Sequence, residues 1–307
     1  MNFQQLRIIR ETVRRNFNLT DAAQALLISQ SGVSKHIRDL EEELGLEIFV
    51  RRGKRLLGLT EPGQEVIVIA ERILLESENM ALLSQQFAKS DSGTLNIATT
   101  HTQARYMLPP VIARFKAAFP DVRLVLHQAS PKEIAAILLE GQTDLGIATD
   151  TLEDNPGLLA FPYHRWSHGL VVPKNHPLLG VEPLTLEAVA DYPIITYDEG
   201  LTGRARIDQA FEKAGVEPDI AMSALDADVI KAYVELGLGV GIIASMAFDP
   251  ERDQALSLIE CTHLFDENVS SLAVRRGRFL RSYVYRFIEL CEPEISEQKV
   301  RRADVDR

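Results

Sequence analysis

Ser31, Ser34, Lys35 and Arg38 fall at helical spacing on one side of a segment whose other side is Val33, Ile37, Leu40 and Leu44. Short hydroxyls permit close approach to a groove, Lys35 adds charge, and Arg38 can grip guanine with two parallel hydrogen bonds. Gln30, in the turn just ahead, joins the same set. Further on, Arg51-Arg52-Gly53-Lys54-Arg55 makes a basic turn between Ile48-Phe49-Val50 and Leu56-Leu57, where Arg52 and Lys54 can touch phosphates. The helix face alone could equally be an ordinary solvated surface; the basic turn beside it tips the reading towards nucleic acid. A second set of candidate residues is neutral. Thr100, Thr102 and Gln103 follow an alternating stretch and precede a helical one. Unpaired N–H groups at such a junction attract anions, and these side chains add donors without a competing charge. Thr149 ends another alternating stretch, and Thr202 follows a third. Any single threonine here could instead be a cap or turn former. Trp166, the one tryptophan, can line the same cleft or sit in a core.

The elements that hold the first set read as follows. Residues 3–16 form a helix with Phe3, Leu6, Ile9 and Val13 on one face. Thr20 caps a short helix over 21–27, a turn covers 28–30, and residues 31–44 form a helix stopped by Gly45. With the basic hairpin this is a winged helix-turn-helix, expected over residues 1–60. Glu61-Pro62-Gly63 reads as a breaker. Residues 64–88 lack Gly and Pro and repeat Val66, Ile73, Met80 and Phe87 every seven positions, with Ile69 and Leu83 as a second seam. Such a stripe predicts a coiled-coil dimer interface in a linker helix, residues 61–90, unless the helix packs on its own domain.

The second set lies in an α/β body, residues 91–295. Strands over 94–98, 122–127 and 145–148 alternate with helices, and a second set runs from about 169 to 259. A returning strand is expected near 271–275 and a closing helix near 283–290. This alternation predicts a parallel sheet in each of two lobes, with lobe I about 94–166 and 270–292 and lobe II about 167–269. Ligands bind beyond the carboxyl ends of such strands. Residues 296–307 are expected to be a charged tail, disordered from Arg301 onward. The overall fold class is therefore α+β multidomain: a winged helix-turn-helix, a long linker helix and a two-lobed α/β body.

Charge is unevenly placed. The chain carries −11 in total, but residues 1–60 hold ten Lys/Arg against seven Asp/Glu, leaving −14 for the rest. A basic head on an acidic body suits a DNA-reading module joined to a sensor. Cys261 and Cys291 form no C-x-x-C pair, so buried or inert thiols are expected. No secretory signal pattern and no membrane-length apolar run is present, so a cytoplasmic place without a membrane partner is expected. No metal spacing joins the histidines, Gly237 to Gly241 is no phosphate loop, and there is no nucleophile elbow. Neither cofactor nor catalytic residues are expected. A solute-binding protein with a degenerate head, or an enzyme on the same body, are the rival readings.

The run AAQALLISQSGVSKHIRDLE from Ala22 to Glu41, with Leu44-Gly45, Ile48-Phe49 and Arg51, resembles the winged helix-turn-helix of LysR-type regulators. The body, through residues 97–106, Leu201-Thr202-Gly203-Arg204, residues 226–231, 237–241 and 279–283, is similar to the CysB/Cbl group of sulfur-assimilation regulators. The resemblance implies a periplasmic-binding-protein-like effector domain, a dimer or homotetramer, promoter DNA and RNA polymerase as partners, and genes of cysteine biosynthesis as targets. It also implies an acetylserine, sulfate or related anion held by Thr100, Thr102, Gln103, Thr149 and Thr202. Asp198-Glu199, just before the Thr202 loop, departs from the pattern and can change the preferred ligand.

Overall fold

The computed structural model describes residues 1–53, 55–88, 91–149, 151–201 and 203–305. The chain divides into two compact units, Met1–Phe87 and Ala88–Arg307. In the first, helix α1 (Phe3–Arg14) starts from Asn2, whose side chain and that of Gln5 satisfy each other's backbone N–H. Helix α2 (Leu19–Ala25) is capped by Asn18, not by Thr20, because Asn18 Oδ1 accepts from the N–H groups of Thr20 and Asp21. Helix α3 (Gln30–Leu44) begins one residue earlier than expected, since Ser29 Oγ accepts from Gly32 N, and it ends at left-handed Gly45. Val33, Ile37 and Leu40 are fully buried against Ile8, Ile9 and Phe49. Each such side chain contributes about 1.5–3 kcal/mol. Strands β1 (Phe49–Arg52) and β2 (Arg55–Leu59) form an antiparallel hairpin.

Helix α4 runs Glu61–Ala88, so Pro62 and Gly63 open it instead of breaking it. Proline suits a first turn, where its missing N–H has no partner to lose. Gly63 lets the helix touch the hairpin: a Cβ there would lie 2.0 Å from the Ile48 carbonyl oxygen. The expected heptad stripe is split. Ile67, Ala70 and Leu74 are buried in the head core, with Val66 and Ile73 packed at its edge. Met80 and Phe87 are 72% and 86% exposed, and Ile69 and Leu83 are exposed too. The first turns of α4 close the head's own core, which three short helices and a hairpin cannot complete alone.

The second unit has two sheets. In lobe I, β3 (Gly93–Thr99) lies parallel to β4 (Val122–Gln128) and to β5 (Leu145–Thr149), in the order β4-β3-β5-β12-β6. Helices α5 (Leu108–Ala118) and α6 (Pro131–Leu139) connect these strands. Strand β6 (Leu158–Trp166) was not legible in the sequence. It is an edge strand, where Pro162 costs no internal ladder bond. In lobe II, β7 (His168–Pro173), α7 (Leu186–Ala190), β8 (Ile194–Tyr197), α8 (Arg204–Ala214), β9 (Ile220–Ala224), α9 (Ala227–Glu235), β10 (Val240–Ala244) and β11 (Leu256–Glu260) build the order β11-β7-β10-β8-β9. The chain then returns as β12 (Asn268–Arg275), antiparallel to β5 and β6. Both sheets are thus mixed, not parallel: β7 also runs antiparallel to its two neighbours. Two crossovers between lobes require one reversed strand in each.

Helix α10 (Ser282–Cys291) covers lobe I, where Phe287 packs edge-on to Phe115 at 5.3 Å. The segment expected to be a charged tail, disordered from Arg301 onward, forms α11 (Glu297–Val305). Val300 is buried in the lobe I core, Arg301 lies 4.9 Å over the Tyr285 ring, and Arg276 Nη1 donates to Ala303 O. Val300 and Ala303 together supply its apolar contact with that core. Among the described residues no helix is long and apolar enough to cross a membrane.

Candidate nucleic-acid interface and effector cleft

In the head, the burial of Val33, Ile37 and Leu40 turns the opposite side of α3 outward. Gln30, Ser31, Lys35 and Arg38 are exposed and Ser34 is half-buried. Arg38 Nε donates to Ser34 O at 3.3 Å, which leaves the terminal guanidinium nitrogens outward. Arg52 is exposed on the hairpin; Lys54 lies outside the described residues. Glu41 has a structural task that its sequence position hid. Its carboxylate accepts from Ile48 N, Phe49 N and Arg51, so Arg51 is held to the head while Arg52 is not paired with it. A groove lined by Gln30 also takes in Arg15, Asn18, Thr20, Asp21 and Arg55, none of which sequence reasoning placed in the DNA-reading set. The signal for Arg15 and Arg55 was the basic character of the end of α1 and of the turn.

In the body, no loop separates β3 from the helix that follows it. Ala104 N already bonds to Thr100 O, so the strand passes directly into helix at His101, and a π-turn follows over Gln103–Met107. Thr100, Thr102, Gln103 and Thr149 are all buried. Three of the expected site residues meet around Ser270 of β12. Gln103 Nε2 donates to Ser270 Oγ at 2.8 Å, Thr149 Oγ1 shares a hydrogen bond with it at 2.9 Å, and Trp166 Nε1 donates to it at 3.0 Å. The Tyr163 hydroxyl donates to Gln103 Oε1. Trp166 is 5% exposed, so it serves this network from the core side. Burial raises the Tyr163 hydroxyl well above the ordinary tyrosine range, so it stays a donor. Sequence reasoning missed Ser270 and Tyr163, since a serine and a tyrosine in alternating strands carry no signal of their own.

Thr102 differs from these. Its side chain is buried, yet its Oγ1 has no hydrogen-bond partner among the described residues. The buried Tyr197 hydroxyl of lobe II lies beside it and accepts from Ala244 N at 3.0 Å. A buried hydroxyl left unpaired costs about 1–3 kcal/mol, which a bound polar group recovers. Thr202 lies outside the described residues. Beside it, Gly203 opens α8 at φ 69°, and a Cβ there would meet Asn268 Oδ1 at 2.4 Å. Asn268 is fully buried and its Oδ1 is likewise unpartnered among the described residues. Asp198 accepts from Ser223, which turns that acid onto β9, while Glu199 is exposed.

Among the described residues, one group has metal-ligand chemistry: His101, Asp226 and Asp228, with ligand atoms within 4.8 Å of one another. Arg105 and Lys231 already face Asp228, and Asp226 caps α9 through Val229 N, so the group is an ion-pair cluster. Both thiols are pushed up to about 12 by burial. No nucleophile is activated there.

A sequence model of the bacterial regulatory helix-turn-helix of the lysR family matches residues 3–64, and one of the LysR substrate binding domain matches residues 88–296. The chain belongs to the LysR family. It is 55% identical to the HTH-type transcriptional regulator SsuR of Burkholderia cenocepacia, across 98% of this chain and 97% of that protein. It is 54% identical to the regulator cbl of Escherichia coli K12, across 98% and 96%, and 51% identical to CysB of Burkholderia cenocepacia, across 99% and 97%. The crystal structure of the cofactor-binding domain of the Cbl transcriptional regulator covers 70% of this chain and 95% of its own, with 49% identity and a TM-score of 0.68. Full-length LysR regulators share the fold at lower identity; CbnR has 22% identity and a TM-score of 0.56. This LysR chain is accordingly a DNA-binding transcription regulator with an effector-binding domain, and not an enzyme.

Proposed function

We propose that this LysR regulator controls genes of sulfur assimilation and cysteine biosynthesis, as an activator, in response to a small anion such as acetylserine or sulfate. The anion sits where β3 passes into helix, held by N–H groups of the first turn and by Thr100 and Thr102, with Thr202 closing from lobe II. Gln103, Thr149 and Trp166 brace the floor through Ser270. The observation that carries this reading is the buried, unpartnered Thr102 hydroxyl at a helix start with no acidic side chain in its first turn. Similarity to CysB, Cbl and SsuR across nearly the whole chain supports the pathway.

On the DNA side, Gln30, Ser31, Ser34, Lys35 and Arg38 read the groove, and Arg52 and Lys54 hold phosphates. The exposed Met80, Leu83 and Phe87 of α4 pair with a second copy, giving a dimer or tetramer that matches two half-sites and works in the cytoplasm with RNA polymerase. Isothermal calorimetry with sulfate and acetylserine tests the effector assignment. Thr102→Ala removes a hydrogen bond to a charged group, about 1.5–3 kcal/mol, and is expected to weaken the ligand roughly 10- to 150-fold. Wild-type affinity in both Thr102→Ala and Thr100→Ala would place the anion elsewhere.

A further inference from the structure

Tyr106 belongs by chain to lobe I, yet its ring packs against the apolar core of lobe II. Its hydroxyl donates to Asp228 Oδ1 at 2.7 Å, in the first turn of α9. Lys231, one turn along, lies 5.5 Å over the Tyr106 ring and 3.5 Å from Asp228. That lysine is itself fixed by Asp253 at 2.9 Å and by Ala247 O at 2.8 Å. His101 and Arg105, on the same stretch of helix as Tyr106, reach Asp228 at 3.6 and 3.4 Å. Burial alone would raise the Asp228 carboxyl, but the Tyr106 hydrogen bond and the Lys231 and Arg105 charges hold it below the usual aspartate range. It is an anion at neutral pH. The Arg105 pair is half-exposed and weak. The Tyr106 bond is short, charge-assisted and backed by ring burial, so it dominates. Arg105 and Tyr106 sit within the π-widened turn Gln103–Met107, and His101 and Thr102 stand in the helical residues just ahead of it. The two sequence motifs that meet here are residues 97–106, whose last three lie beyond the anion-site residues, and residues 226–231 of lobe II.

We propose that Tyr106 and Asp228 latch lobe II onto the turn that carries Thr102, so that lobe docking and effector capture are one equilibrium. The proposal rests on the effector site argued above. A ligand held between two lobes binds the docked arrangement, and whatever stabilises that arrangement raises its affinity. Tyr106 and Asp228 are positioning residues: they act on the ligand through the turn, without touching it.

The test uses the full chain, sulfate as probe, and the variants Tyr106→Phe, Asp228→Asn and their double. Each single variant is expected to weaken sulfate roughly ten-fold by calorimetry. The double should lose less than the sum of the singles, because both disturb the same Tyr106–Asp228 bond; any extra loss in Asp228→Asn comes from its pairs with Lys231 and Arg105. Hydrogen exchange at residues 101–107 should quicken in each variant without sulfate. A bond that is merely structural would lower the melting temperature and leave sulfate affinity alone. Unchanged or tighter sulfate binding in the singles, or additive losses in the double, overturns the latch. Thr102→Ala separates this idea from the site assignment: it should lose sulfate yet keep the exchange protection of 101–107. If wild-type protein binds neither sulfate nor acetylserine, the anion reading falls. The latch is then judged by exchange, where unchanged protection in Asp228→Asn overturns it.

Discussion

Arg38 and Thr102 are each set apart by what they lack. The Arg38 guanidinium has one intrahelical bond and is otherwise outward, on a face emptied of apolar residues by the burial of Ile37 and Leu40. If it reads a base, Arg38→Ala should cost about 1–3 kcal/mol of operator affinity and relax sequence preference. Arg52→Ala should instead weaken all sequences alike and reduce the salt slope by roughly one. Fluorescence anisotropy at several salt concentrations separates the two, and retained preference in Arg38→Ala removes it from the readout. Cys261 and Cys291 make a contrary case. With both thiols pushed up to about 12 and Cys261 buried, Cys261 should not react measurably with iodoacetamide at neutral pH in folded protein and the half-buried Cys291 only slowly; fast labelling of Cys261 would refute its burial. The types of these residues were legible in the sequence because helical spacing exposes a polar face directly. The partners of Gln103, Thr149 and Trp166 were not, since Ser270 lies far along the chain and strand pairing alone brings it to them.

At the level of elements, local chemistry predicted existence well and boundaries less well. Gly45 stops α3 as expected, but Asn18 and Ser29 took the caps because each stands where its oxygen reaches the N–H groups two or three residues on. Helix α4 was legible as a long helix; its division between core and solvent was not, because Val66 and Ile73 share a heptad with Met80 and Phe87 but only the first pair meets the head. That division makes a cleaner assembly test. Met80→Glu leaves the head core untouched, so ultracentrifugation should show a smaller oligomer at unchanged melting temperature; unchanged mass would mean the stripe pairs with nothing. Helix α11 gives the opposite prediction. Val300→Asp places an unpaired charge in the lobe I core and should lower the melting temperature of the effector domain, whereas a disordered tail would tolerate it.

For the whole molecule, alternation of strands and helices was enough to predict two α/β lobes. The reversed strands β7 and β12 were not, because strand direction follows from where the chain crosses between lobes and not from the pattern within any strand. Those crossovers place Thr102 of one lobe beside Tyr197 of the other, and a ligand there can favour one arrangement of lobes over another. We propose that this arrangement governs DNA binding. The most direct test is a promoter-DNA footprint titrated with acetylserine and with sulfate, on wild-type protein and on Thr102→Ala. The two proteins should give the same footprint without ligand, since the head is unaltered, and Thr102→Ala should need roughly ten-fold or more ligand to change it. Coincident ligand midpoints in the two proteins would mean that Thr102 takes no part in coupling ligand to DNA.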